Sequence, residues 1–261
     1  MNRNNYLFLA KIAEQTGRFE DMSEMMKGVV IVGESLSKEE KALLSTAYRH
    51  LVGERRVAWR MVTSGYANIN DNVESSQLHN MLDIMRSRIE DEIMEYCEEM
   101  QELLLKTLQS EICSEGRVSI LKMKGDYYRY VAEIKVHEEL EDILELAHDS
   151  YMKAYMLALK TLSPLNDTRL GLALNFAVFF YEVAKDIEKA LLMAKETYRA
   201  GKSIFTSIYL CLCLCLCLCL CLCPHAICVT YTNNRSCVVP YCTALHCTVC
   251  VNLRTGPGRS W

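Results

Sequence analysis

The stretch ILELAHDSYMKAYMLA, residues 143–158, decides the fold class. Its members Ile143, Leu144, Ala147, Tyr151, Ala154, Tyr155 and Ala158 recur at the spacing that gathers them on one face of an α-helix, where a strand would need alternation. A second series, Val57, Met61, Leu78, Met81, Leu82, Met85 and Ile89, keeps the same period. Only Val29–Val32 and Ile204–Ile208 lean toward β structure, and both are too isolated to imply a sheet. Turn and cap residues punctuate the pattern at Ser35–Ser37, Ser75–Ser76, Ser114–Gly116, Ser163–Pro164 and Asp167. The body is therefore expected to be all-α, with about eight helices, two of them roughly 30 residues long. Several segments are amphipathic and highly charged, which favours antiparallel layers over one compact bundle. The segment from Leu9 to Phe19 cannot form a core alone. Periodicity assigns it equally to a neighbouring helix or to a dimer face.

Composition divides the chain in two. Of its 261 residues, 51% are hydrophobic and 24% charged, with 4 prolines and 11 glycines, which is globular rather than disordered. Residues 1–210 hold 26 Lys and Arg against all 33 acids, a net charge of −7, whereas residues 211–261 hold three Arg and no acid. Twelve of the 14 cysteines lie after Leu210. The overall charge of −4 argues against nucleic acid as a partner. A thiol-poor, charge-rich body whose opening apolar patch is broken by Lys11 and Glu14 fits a cytoplasmic protein without a signal peptide.

Enzyme motifs fail on inspection. His137-Glu138-Glu139-Leu140-Glu141 begins like a zinc-protease HExxH, but Glu141 takes the place of the second His. Gly201-Lys202-Ser203 resembles the end of a phosphate loop, but Glu196 stands where its first glycine belongs. No local context raises a Ser/His/Asp or Cys/His set above chance. No enzyme activity, cofactor or metal is expected of the body.

The arginines carry more. Arg49, Arg56 and Arg60 fall within about 40° on one helix face. Such a stripe is most commonly solvated or salt-bridged, but it also suits an anion. In Leu121-Lys122-Met123-Lys124-Gly125-Asp126-Tyr127-Tyr128-Arg129-Tyr130, the residues Lys122, Asp126, Arg129 and Tyr130 share one side at offsets of four, seven and eight. Two such faces would make a pocket for a dianionic phosphate, because guanidinium forks match phosphate oxygens bidentately. A third helix, residues 169–182, presents Asn175, Val178 and Glu182 together. That mixture suits a peptide, although a lone Asn is more often a satisfied structural group.

These residues carry a resemblance. The strings LLSTAYRHLVGERRVAWR (43–60), LKMKGDYYRYVAE (121–133) and RLGLALNFAVFFYE (169–182), together with the opening AKIAEQTGRFEDM (10–22), closely resemble the signatures of the 14-3-3 proteins in order and separation. The similarity spans about residues 3–200. It implies a cup of antiparallel helices, a cytoplasmic dimer that binds phosphoserine or phosphothreonine segments of signalling proteins and catalyses nothing. It implies phosphate contacts from Arg49, Arg56, Arg129 and Tyr130, with Arg49 standing where the family usually has Lys. Lys122 and Asn175 would contact the peptide, Asn175 through its main chain; Leu174 and Val178 would form an apolar wall; Glu182 would meet the peptide from the polar side; Arg60 would support the cluster. The dimer face would set Ile12, Ala13 and Thr16 against Ala58, Val62 and Met85 of the partner, with cross-subunit pairs Arg18–Glu92 and Asp21–Arg88. Met85 replaces the family's usual Tyr. The partner would be a second copy or another 14-3-3 protein.

The resemblance stops near Gly201. A 14-3-3-like domain over residues 1–203 and a divergent tail over 204–261 are expected, with the family's last groove helix missing or replaced. Leu210–Cys223 is seven Leu-Cys pairs in strict alternation, which simple-sequence DNA of six-nucleotide period explains most economically as read-through of non-coding sequence. Ile208–Cys223 is slightly short for a membrane span and Ile204–Cys223 just reaches one, with a tail anchor the minor reading. The Leu-Cys alternation also fits an aggregation-prone strand. Cys237, Cys242, Cys247 and Cys250 with His225 and His246 give a weak zinc signal, since only Cys247–Cys250 has the expected gap. The tail is given no function. The adaptor reading has one rival, a variant that dimerises but binds phosphopeptide weakly for want of the last helix.

Overall fold

A computed structural model describes residues 1–33, 35–65, 73–135 and 138–200. The described residues form eight helices and no strand: α1 (Arg3–Gln15), α2 (Phe19–Ile31), α3 (Lys38–Gly65), α4 (Val73–Ser110), α5 (Ser114–Ile134), α6 (Glu138–Thr161), α7 (Asp167–Glu182) and α8 (Ile187–Ala200). The long helices are α3 with 28 residues and α4 with 38. Readings placed on the tail, on His137 and on Gly201-Lys202-Ser203 lie outside the described residues.

Local chemistry sets most of the boundaries. Asn2 caps α1 by accepting from the Asn5 N–H at 2.9 Å. The chain then turns at Gly17, whose φ of +70° lies where a side chain would be strained, and Phe19 opens α2. The segment Leu9–Phe19 is thus shared between two helices. Ser37 and Glu40 form a reciprocal capping box at the start of α3: Ser37 Oγ accepts from the Glu40 N–H at 3.1 Å, and Glu40 Oε2 accepts from the Ser37 N–H at 2.7 Å. Asn166 caps α7 through the Arg169 N–H. Ser75–Ser76, expected between helices, instead sits in the opening of α4.

Two cores lie side by side. The first gathers Met22, Met26, Leu44, Tyr48, Ile93, Met100 and Leu104 from α2, α3 and α4, closed by Ile120, Met123 and Tyr127 of α5. The second gathers Tyr151, Ala154 and Ala158 of α6 with Phe176, Phe179 and Phe180 of α7 and Met193 of α8, joined by Val118 of α5. Helix α5 therefore serves both, packing on α4 on one side and on α6 and α7 on the other. This two-core arrangement is the layered body that the charged, amphipathic helices predict. It leaves one face of α5 between α3 and α7 for other work.

Candidate functional site

That face holds Lys122, Asp126, Arg129, Tyr130 and Glu133, which at about 100° per residue lie within one third of the helix circumference. Across from it, α3 delivers Arg56 and Arg60. Arg56 Nε donates to Glu133 Oε2 at 2.5 Å, and Arg60 Nε donates to Glu133 Oε1 at 2.6 Å. The Arg56 guanidinium carbon lies 4.1 Å from the centroid of the Tyr130 ring, and that of Arg129 lies 4.7 Å from it. The two guanidinium carbons are therefore at most about 9 Å apart, the sum of those distances, a separation that one phosphate bridging both can span. Stacking on one electron-rich ring offsets part of the repulsion between them.

Asp126 organises the side toward α7. It is buried, and its carboxylate accepts from Tyr151 Oη at 2.6 Å, Asn175 Nδ2 at 2.7 Å and Lys122 Nζ at 2.9 Å. Arg129 Nε in turn donates to Tyr151 Oη at 3.3 Å, while its Nη atoms lie 3.7 Å from Asp126 Oδ1 and 3.4 Å from Glu182 Oε2. Burial acts to raise the Asp126 pKa, but the charges of Lys122 and Arg129 and the Tyr151 hydroxyl outweigh it, so the carboxyl stays below the ordinary Asp range. Glu133 behaves likewise: burial raises its pKa, and Arg56 and Arg60 bring it below the ordinary Glu value. Both acids are thus charged and paired at neutral pH.

Helix α7 has two faces. Leu172, Phe176, Phe179 and Phe180 enter the second core. Leu174, Asn175, Val178 and Glu182 lie half-buried on the opposite face. The structure thus joins Arg56, Arg60, Lys122, Arg129, Tyr130, Asn175 and Glu182 through a continuous set of contacts, with Leu174 and Val178 on the same α7 face. Arg49 stands apart from that set: it is exposed, about 10 Å along α3 from Arg56, and among the described residues its hydrogen bond is to Thr46 Oγ1 at 3.5 Å. Asn175 engages Asp126 with its side-chain amide. Two members escape the sequence reading. Glu133 lies at offset eleven from Lys122, on the same face, yet is one of 33 acids. Tyr151 reads as an ordinary core position of α6, and its polar role emerges only where α6 meets α5.

The expected dimer residues fall into two groups. Ala13 and Val62 are already buried within the chain, at 6% and 8% exposure, so they have little area left for a partner. Ile12 and Met85 are exposed at 43% and 53%. Ala58 is half-buried and Thr16 exposed, its hydroxyl donating to the Ile12 carbonyl. Exposed Phe8 and Leu9 extend the α1 face, and Leu78 and Met81 extend that of α4, on the side of Met85, Arg88 and Glu92. Within the chain Arg18 pairs with Asp21, and Arg55 with Glu92 at 3.0 Å.

Among the described residues no helix is long and apolar enough to cross a membrane, and no cluster of His, Cys, Asp and Glu is placed to hold a metal. The family model described as "14-3-3 protein" matches residues 9–208. The chain is 37% identical over 199 residues to 14-3-3 protein 3 of Entamoeba histolytica, covering 76% of this chain and 82% of the relative. It is 40% identical over 191 residues to 14-3-3-like protein 2 of Caenorhabditis elegans, with coverages of 72% and 75%. To 14-3-3 protein homolog 2 of Echinococcus multilocularis it is 40% identical over 201 residues, with coverages of 77% and 79%. With a family model matching most of the described body and relatives 37–40% identical over three quarters of their length or more, the chain belongs to the 14-3-3 family.

Proposed function

We infer that this protein is a phosphoserine- and phosphothreonine-dependent adaptor that acts as a cytoplasmic dimer, with residues 1–203 as the binding domain. Family membership supports a phosphoprotein-binding adaptor rather than an enzyme. The single observation that carries the finer reading is the gathering of Arg56 and Arg129 on the Tyr130 ring, with Arg60 joined to Arg56 through Glu133. Among the described residues, the Nη atoms of Arg56 and Arg60 and the hydroxyl of Tyr130 make no hydrogen bond, so three donor groups remain for an anion. Arg56 and Tyr130 take the phosphate in this account. Buried Arg129 reinforces the field, and exposed Arg49 closes in from its own turn of α3. Lys122, Asn175, Leu174, Val178 and Glu182 line the path of the peptide. Each charge-assisted hydrogen bond to the phosphate contributes about 1.5–3 kcal/mol.

The exposed row Phe8, Leu9 and Ile12 of α1 and the row Leu78, Met81 and Met85 of α4 support dimerisation, since a monomer seldom leaves such apolar rows in water. Exposed ion pairs contribute about 0–1 kcal/mol each, so the apolar rows do most of the holding, and Arg18 and Glu92 would exchange their intrachain partners on assembly. A dimer with two sites would engage two phosphosites on one client and gain effective concentration. The rival reading keeps one support. The match to the relatives leaves about a fifth of each without a counterpart, and a groove short of one wall would bind weakly.

The test is fluorescence anisotropy of a labelled phosphoserine peptide, its unphosphorylated twin and an Arg56→Ala chain. The adaptor reading expects saturable binding that needs both the phosphate and Arg56. A soluble, helical dimer that ignores the phosphate would hand the account to the dimer-only variant.

A further inference from the structure

Glu133 has no part in the sequence-based site, yet among the described residues it is the one acid that pairs with both Arg56 and Arg60. Its geometry is specific. Each carboxylate oxygen takes one arginine, and each arginine is taken at Nε, on the side of the guanidinium rather than at its end. A carboxylate competing with phosphate for the pocket would occupy the terminal Nη edge, where a fork binds an anion bidentately. Here that edge stays open on both arginines among the described residues. Glu133 has 20% of its side chain exposed and Arg56 15%, so the bond between them is shielded from water, while the bond to Arg60 lies at the exposed edge. Arg56 is further confined by the Tyr130 ring at 4.1 Å.

Charge supports the same role. Arg56, Arg60, Lys122 and Arg129 pair with Asp126, Glu133 and Glu182, so four cations meet three acids and the cluster keeps a net charge of +1, which draws an anion.

We propose that Glu133 is a positioning residue of the phosphate pocket: by holding Arg56 and Arg60 through Nε it aims their terminal nitrogens at a tetrahedral dianion and confers selectivity for phosphate over carboxylate. This rests on the adaptor reading above. Held forks read the shape of a phosphate, whereas the same arginines let loose act as mobile point charges that serve any anion.

The experiment compares three peptides of one sequence, carrying phosphoserine, glutamate or serine at the centre, against the wild-type chain, Glu133→Gln and Glu133→Asp. Glu133→Gln keeps the shape and removes the charge. Glu133→Asp keeps the charge but is too short to reach both arginines. Positioning predicts that Glu133→Gln weakens the phosphoserine peptide about tenfold, about 1.4 kcal/mol, while the glutamate peptide changes less than about twofold, so the phosphate-to-carboxylate ratio collapses. Glu133→Asp, with charge intact, should still lose about threefold in the same ratio. Should the Gln variant fail to fold, as judged by its far-UV dichroism, the Asp variant alone decides. Tighter phosphoserine binding by Glu133→Gln would mean that the carboxylate competes with the ligand, and equal losses for both anions would mean a merely structural role. Either result overturns the proposal while leaving the adaptor reading in place. A wild-type chain indifferent to phosphate would defeat the adaptor reading itself.

Discussion

Replacing Gly125 with Ala tests whether core and site are coupled through Tyr151. A Cβ at Gly125 would stand 2.7 to 2.8 Å from three ring atoms of Tyr151, closer than carbon atoms tolerate. The ring has nowhere to retreat, since Tyr151 is fully buried and stacks on Phe176 at a centroid distance of 5.3 Å, with Phe179 at 5.7 Å. Alanine would gain about 0.5–1 kcal/mol of helix preference over glycine, against about 1–3 kcal/mol for overpacking. A displaced ring would also strain the Tyr151 hydroxyl bond to Asp126, a charge-assisted bond of about 1.5–3 kcal/mol. The balance is a loss of about 2 kcal/mol, or roughly 4–8 °C in melting temperature for a domain of this size. Because Tyr151 also accepts from Arg129, phosphopeptide affinity should fall about fivefold, the factor for about 1 kcal/mol. Gly53→Ala is the internal control. Nothing lies within 4 Å of its new Cβ, and its φ is not positive, so the same substitution should stabilise by about 0.5–1 kcal/mol. Thermal melts followed by dichroism, with peptide anisotropy on the same samples, read both effects. A Gly125→Ala chain that melts higher and binds as before would refute the reasoning.

Lys41→Met would leave Glu111, 7% exposed, without its buried ion partner, and should cost about 3–5 kcal/mol in urea unfolding. Replacing both members by apolar residues should recover most of that loss. Phe8→Asp with Ile12→Asp alters side chains exposed at 64% and 43%, so the helical spectrum should persist while sedimentation shifts the chain from dimer to monomer. Acid should also unfold the chain through the site. Asp126 and Glu133 titrate lower when folded than unfolded, so the unfolded chain takes up protons first as pH falls. Their contribution is complete above about pH 5 and declines below the unfolded values of about 3.9 and 4.3. Glu133→Gln should flatten this decline in urea melts taken from pH 6 to pH 3.

The helices were legible because apolar residues at period 3.6 need no partner to be recognised, and the basic face of α5 because Lys122, Asp126, Arg129 and Tyr130 are close in sequence. Residues separated along the chain were harder. Glu133 gains its meaning from α3, 73 residues away at Arg60, and Tyr151 gains its meaning from α5. The break at Gly17 escaped notice because a lone glycine marks a turn only once its φ is known. Leu9–Phe19 carried two readings with good reason: Ala10 and Ala13 are buried against the chain's own core, while Phe8, Leu9 and Ile12 face outward. Periodicity showed that the segment had two faces, and only packing could tell which was already covered.

The central claim, that a phosphate sits among Arg56, Arg60 and Arg129, is tested most directly by the second ionisation of the phosphate itself. A phosphoserine peptide titrates near pH 6 in water, and ³¹P resonance positions follow that ionisation free and bound. Surrounding cations favour the dianion, so the account predicts that binding lowers this pKa well below 6 and that Arg56→Ala returns it most of the way. A bound phosphate that still titrates near 6 would lie outside the arginine cluster and would contradict the account.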